Sequence, residues 1–475
     1  MRKRRKAQSK KPERAAGRLG RREFLVGAAA SAGVLVAAPH IWIPNPAIAQ
    51  TSGRGSIKHL LYIRLSGGFR FQVAFNADVA DRFNPFGRAK GVAAGAEWGV
   101  GSLLSRSGFL DGEDGMALRE LGMKPVPEIA DKMTVLACVD HEPLSASADG
   151  NHGTGLERYY TGYVDGTVGF FTMINHGMKA VQEQAAAEDR IVLPPFVLGG
   201  SAMGRGVGPY AASRPPVLSG GGFEAFGIDS DATIPEWAQE MAIATDERKR
   251  DRQHPELRAQ IDSFLDTRRA TRAYSDIFNS DLLKVRSNSD ERVDGITNTE
   301  LRQALGTSGG ANNIALALRL FHYGCPAVYL DQGGYDMHSG EEDGLPGRME
   351  ELNRLLSGLE NVLGRMEHEA GGSYWDHTMI VLGSEFSRTA RGSRFNSARG
   401  SDHGGDLATR WMSMPVMGGM VSRPGRQIGA TRSSDMTATG EVFSYRSLLK
   451  TLLDGLGCDH QEFFPADEPF DHLFA

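Results

Sequence analysis

Cysteine is scarce in this 475-residue chain: Cys138, Cys325 and Cys458 are the whole supply. An odd count at wide spacing excludes a disulfide scaffold and any C-x-x-C metal or redox motif. Membrane-length apolar runs are missing too. The run at 25–38 is 14 residues long, short of the roughly 20 that span a bilayer. No strong excess of one charge exists either, since the net charge is −5. That balance hides an asymmetry: residues 1–49 hold 11 Lys and Arg against Glu13 and Glu23, a net of +9, which leaves −14 for the rest. A body of that sign excludes a protein that binds nucleic acid over its surface. Low-complexity bias and internal repeats are absent. Hydrophobic residues make up 40% and charged residues 23%, enough for a packed core and wrong for a disordered chain. Glycine, at 59 residues, is plentiful and announces many loops and tight turns. The glycines of Gly204-Arg205-Gly206-Val207-Gly208 run into Pro209, where a dinucleotide fingerprint would need an opening helix, so that reading is rejected.

The first 49 residues read as an address. Arg21-Arg22 stands directly before the apolar run, basic residues precede it, and Ala47-Ile48-Ala49 supplies a small-residue cleavage site ahead of Gln50. This order is that of a signal peptide. The Arg-Arg-x-Phe-Leu spacing is similar to a twin-arginine signal, which exports proteins already folded. The expected location is therefore periplasmic or secreted, with no transmembrane segment in the mature chain. Such export suits a protein that takes up a metal before it leaves the cytoplasm. Length alone allows about three domains of roughly 150 residues, or one large α/β domain with insertions. The reading adopted is a leader at 1–49 and a single domain over 50–475, with a charged helical insertion near 220–300.

Short aliphatic runs predict strands at 57–65, 132–139, 327–330 and 378–382, and a weaker one at 191–198, placed at an edge because Pro194 and Pro195 fall inside it. Helical patterns lie between them. The segment 313–321 leads into one strand. Met349, Leu352, Leu355, Leu356, Leu359, Val362, Leu363 and Met366 form an amphipathic stripe before another. A last helix is expected over 443–456, and the charged 246–275 reads as a solvated surface helix. Strands alternating with helices predict an α/β fold with a mostly parallel sheet covered on both faces. Chemistry in such folds collects on loops at the carboxyl ends of strands.

Four stretches carry residues for chemistry. Asp336 and His338 sit two apart in GGYDMH at 333–338, just after a strand. Glu385 and Arg388 lie in SEFSRT at 384–389, after another, and Asp402 and His403 in the glycine-rich GSDHGG at 400–405. Each alone has a bland reading as a surface pair, a salt bridge or a structural histidine. Together, Asp, Glu and His on successive strand-end loops are the donors of a divalent-metal hydrolytic site. Upstream, Asp149-Gly150-Asn151-His152-Gly153-Thr154-Gly155 offers His152 as a ligand or acid–base group and Thr154 as the nearest nucleophilic hydroxyl. The competing reading of that stretch is a glycine-rich loop before a helical turn.

The strand that ends in Gly67-Gly68, the GGYDMH, SEFSRT and GSDHGG loops and the twin-arginine leader resemble the bacterial family catalogued as domain of unknown function fifteen-oh-one, over about residues 57–457. That family is similar to the alkaline phosphatase and sulfatase superfamily. The resemblance implies a three-layer α/β/α sandwich with a two-metal site, holding Zn, Mn, Ca or Mg as one or two ions. It implies that Asp336, His338 and His403 bind metal directly, and that Glu385 is a second-metal carboxylate with Asp402 nearby. The chain departs from the family at two places. Arg70 stands where the family's G-G-x-D run has its Asp, and Asn151 stands where a nucleophilic Ser precedes the His.

Two functional readings result. One is an exported metal-dependent hydrolase of a small phosphate or sulfate ester, with His152, Thr154 and Arg388 as catalytic residues and Arg70 or Arg388 facing the substrate anion. The other is a catalytically degenerate protein of the cell envelope that keeps the fold and binds a partner or polysaccharide.

Overall fold

The computed structural model describes residues 57–75, 84–87, 95–141, 151–182, 193–199, 202–218, 236–252, 280–389, 401–403, 410–434, 437–470 and 473–474, with a few isolated positions between them. The leader at 1–49, with its arginine pair and cleavage site, lies outside the described residues, as do Asp149, Gly150 and most of 253–279.

The strands are β1 (His59–Leu65), β2 (Met133–Asp140), β3 (Phe196–Leu198), β4 (Val217–Leu218), β5 (Ala327–Gln332), β6 (Thr378–Gly383), β7 (Trp411–Met417), β8 (Gln427–Ile428), β9 (Ala430–Thr431), β10 (Ala438–Thr439) and β11 (Phe443–Ser444). The α-helices are α1 (Gly112–Glu120), α2 (Val126–Ile129), α3 (His152–Thr161), α4 (Phe170–Gln182), α5 (Glu236–Asp251), α6 (Asn298–Leu305), α7 (Gly309–His322), α8 (Glu341–Arg365), α9 (Tyr374–His377) and α10 (Tyr445–Gly455). One large sheet runs β11-β2-β7-β6-β1-β5-β3-β4, with β8 also on β2, while β9 and β10 pair by themselves. All its pairings are parallel except those of β7, which lies antiparallel to β2 and to β6.

Every residue of β1, β2 and β6 is buried. Successive side chains of a strand point to opposite faces, so a strand buried throughout belongs to a sheet covered on both. The stripe on α8 supplies part of that cover: Met349, Leu352, Leu355, Leu356, Leu359, Val362 and Leu363 are all buried. Local signals frame the helices. Thr297 and Glu300 close a capping box on α6, and the Ser308 and Ser444 side chains cap α7 and α10. Glu341, Glu342 and Asp343 occupy the first turn of α8, where the helix dipole favours negative charge.

The structure differs from the sequence expectations in two places. The strand expected at an edge is β3, and it lies inside β4, because the proline pair precedes the pairing residues rather than interrupting them. Phe443 and Ser444 pair with β2 before α10 begins. β7, antiparallel to both neighbours, leaves the sheet mostly parallel as expected. Within the charged segment α5 reaches Asp251, and most of the expected 246–275 helix lies outside the described residues.

For function, the decisive feature is the register at the centre. β1 lies between β5 and β6 and runs parallel to both, with Arg64 opposite Asp331 on one side and opposite Gly383 on the other. The loops that leave these three strands therefore emerge side by side.

Candidate metal centre

Gly67 and Gly68 follow β1 with φ of +117° and +78°, a region that L side chains rarely adopt. A Cβ on Gly67 would collide with the backbone of Asp336, and one on Gly68 with the ring of Phe386. The two glycines thus let the β5 and β6 loops close on the β1 loop. Backbone bonds seal the contact: Phe69 donates to Phe386 O at 3.2 Å, Arg388 to Phe69 O at 3.2 Å, and Tyr335 to Ser66 O at 3.2 Å. The 401–403 segment joins them through Ser401 N on Met337 O at 3.1 Å and Thr389 N on Asp402 O at 3.1 Å.

This closure brings four donors together. One ligand atom each from His152, Asp336, His338 and His403 lies within 4.8 Å of every other. His152 is the first residue of α3, Asp336 and His338 come from the β5 loop, and His403 comes from the glycine-rich loop. Asp336 Oδ1 is 3.3 Å from His338 Nε2, and its Oδ2 is 3.4 Å from His152 Nε2. His403 Nε2 is buried with no hydrogen-bond partner. Burial, with Arg388 and the neighbouring histidines, holds the His403 imidazole down to about 4. At neutral pH it therefore keeps a lone pair for coordination. An orphaned imidazole nitrogen among three other donors fits a divalent ion, and three imidazoles with one carboxylate suit a transition ion better than a hard one.

Around the donors lie residues with other tasks. Arg388 is fully buried. Its Nε donates to Gly67 O at 3.1 Å and Gly68 O at 3.0 Å, its Nη1 to Ser401 O at 2.9 Å, and its Nη2 to Gly67 O at 2.8 Å and to Asp336 Oδ1. Arg388, expected as a catalytic residue that faces the substrate anion, is buried and reaches the cluster through Asp336. Arg70 is also buried, paired with Glu341 at 3.2 Å, and its burial differs from the expectation in the same way. Asp402 stands beside the cluster rather than in it. Its Oδ1 accepts the His403 N–H at 2.8 Å and lies 3.9 Å from His338 Nδ1.

Glu385 stands behind His152, with its Oε1 3.2 Å from His152 Nδ1. Burial raises its carboxyl, but the bonds from His152, Arg64 and Gly67 outweigh that and hold it below the usual carboxylate range. The hydrogen bond to Glu385 in turn raises His152 above the ordinary histidine value. Asn151 is the N-cap of α3, its side chain accepting from Thr154 N at 2.9 Å. Thr154 Oγ1 is buried without a hydrogen-bond partner.

Sequence reasoning missed Arg64 and Glu341. Arg64 bonds Asp331 at 2.7 Å and Ser66 at 3.0 Å, and stands 3.4 Å from Glu385. A signal for it existed, since it is the charged residue in the otherwise apolar end of β1. Glu341 had no such signal in an acidic helix start.

Fold and site together define an α/β protein with a His₃Asp cluster at the carboxyl end of a mostly parallel sheet. The chain belongs to the family described as Protein of unknown function (DUF1501), whose model matches residues 111–471. The match begins after β1, later than the expected start near 57. A solved structure titled as a protein in the alkaline phosphatase superfamily from Vibrio parahaemolyticus is similar at 10% identity and a TM-score of 0.29, covering 90% of this chain and 74% of that one. No curated protein matches the chain.

Proposed function

We propose that this chain is an exported metal-binding protein that hydrolyses a phosphate or sulfate ester, with His152, Asp336, His338 and His403 holding a divalent ion. The observation that carries this reading is the convergence of those four donors from three separate stretches of chain. When bound, the ion would supply Lewis-acid polarisation of an ester oxygen. The chain's own residues do the rest. Arg388 fixes Asp336, Glu385 fixes His152, and the partly exposed faces of Asp336 and His338 leave the cluster open to a small anion. Thr154 is the hydroxyl available near His152 as a nucleophile, with its Oγ1 uncommitted. Export rests on Arg21-Arg22. Among the described residues no helix is long and apolar enough to cross a membrane. Retention of an Arg21→Lys/Arg22→Lys double variant in the cytoplasm tests the route, and undiminished export would refute it.

The test of function is metal content after native export, followed by turnover of aryl phosphates and aryl sulfates with and without chelator. Chelator-sensitive turnover that His403→Ala abolishes is the expected result. One observation favours a second reading, an envelope protein that binds without catalysis: Asn151 fills the cap position with an amide, which is no nucleophile. Bound metal with no turnover of either ester would leave that reading standing alone.

A further inference from the structure

We infer that this chain holds one ion, and that Glu385 is a positioning residue that aims the His152 imidazole at it. The inference rests on the metal-binding reading above. A carboxylate offers about four lone-pair positions, and donors of the protein face both oxygens of Glu385. Its Oε1 accepts Gly67 N–H at 2.9 Å and lies 3.2 Å from His152 Nδ1. Its Oε2 faces Arg64 Nη1 at 3.4 Å and lies 3.1 Å from Ser384 Oγ, whose proton goes to Leu65 O at 2.6 Å. The residue is 3% exposed, so no open side remains for a cation.

The other position implied for a second ion is Arg70, a cation already paired with Glu341 at 3.2 Å. Apolar surface closes the same side. The Phe386 ring lies 5.2 Å from His152 and 5.3 Å from His403, centroid to centroid. A second ion would meet that ring, a committed carboxylate and a buried arginine.

Glu385 acts instead through His152. A carboxylate acceptor on Nδ1 places the proton there and leaves the Nε2 lone pair turned toward Asp336. Such a carboxylate fixes the tautomer and ring orientation of a ligating histidine, and its loss commonly weakens metal affinity about 10–100-fold.

The test uses the full mature chain, stripped of metal and titrated with zinc and with cobalt(II). Wild type is expected to bind one equivalent of either. Glu385→Gln is expected to bind one equivalent about 10–100-fold more weakly, whatever the loss of its contact with Arg64 costs the thermal midpoint of the stripped form. A merely structural Glu385 would lower the stripped midpoint and leave affinity alone, and unchanged affinity overturns the positioning role. Should Glu385→Gln fail to fold, Glu385→Asp, which keeps the charge but draws the carboxylate back from His152 Nδ1, is expected to weaken affinity in the same direction. Unchanged affinity there would count against the role. Two equivalents in wild type, with one lost in Glu385→Gln, would make Glu385 a ligand and overturn the inference while sparing the metal reading. No binding by wild type would sink the metal reading itself.

Discussion

Arg388 spends a permanent charge on holding loops. Its guanidinium serves the carbonyls of Gly67, Gly68 and Ser401 and the carboxylate of Asp336. A lysine ammonium is a point donor and cannot reproduce that planar fork. Arg388→Lys is therefore expected to leave buried carbonyls unpaired, at about 1–3 kcal/mol each, and to release Asp336. Chemical denaturation should show the loss of stability, and zinc titration a parallel loss of affinity. A variant with wild-type stability and affinity would refute this account. Arg70 shows a different use of the same residue type. It pairs with Glu341 inside the protein, so its chemistry is decided by its partner and not by its place after a glycine pair.

At the scale of elements, α3 does two things with adjacent residues: Asn151 caps the helix, and His152 opens it and enters the cluster. Serine and asparagine cap about equally well, whereas alanine costs about 1 kcal/mol. Asn151→Ala should therefore lower stability by about that amount. Asn151→Ser should keep stability near wild type and place a hydroxyl beside His152. If the absent nucleophile is what limits the site, Asn151→Ser raises aryl-ester turnover above wild type. Equal turnover in the two proteins would show that it is not. The loops after β1, β5 and β6 make the complementary point, since none holds the cluster alone and each is pinned by backbone bonds to another.

Across the whole molecule, acid sensitivity is expected at the end of the sheet opposite the cluster. His59, at the start of β1, donates from Nδ1 to Cys325 O at 2.9 Å and meets His368 Nε2 at 3.1 Å. Burial holds His59 down to about 3 and His368 to about 4. Both are neutral in the native state at mild acidity, while the unfolded chain protonates near 6.5. Their contribution is complete above about 6.5 and is lost as pH falls from there toward about 3, because the unfolded state binds the extra protons. Denaturation midpoints between pH 7 and pH 4 should decline, and more steeply in wild type than in His59→Phe. Parallel declines would remove these histidines as the cause.

The sequence by itself determined the class of fold. Alternating aliphatic runs and an apolar stripe at helical spacing are local patterns, and burying them in a covered parallel sheet follows from their periodicity. It also offered Asp336, His338, Glu385, Asp402 and His403 as metal donors, and of these the packing gathers Asp336, His338 and His403, with His152, around one point. Only the tertiary structure decided how those residues divide their roles. Which side chains meet depends on β1 lying between β5 and β6, and no local pattern records strand order. The same packing set His152 among the donors and turned Glu385 toward it. It buried Arg70 and Arg388 against partners far away in the chain. Charge and residue type are written in the sequence, but which groups lie within about 3 Å of each side chain is decided by the packing.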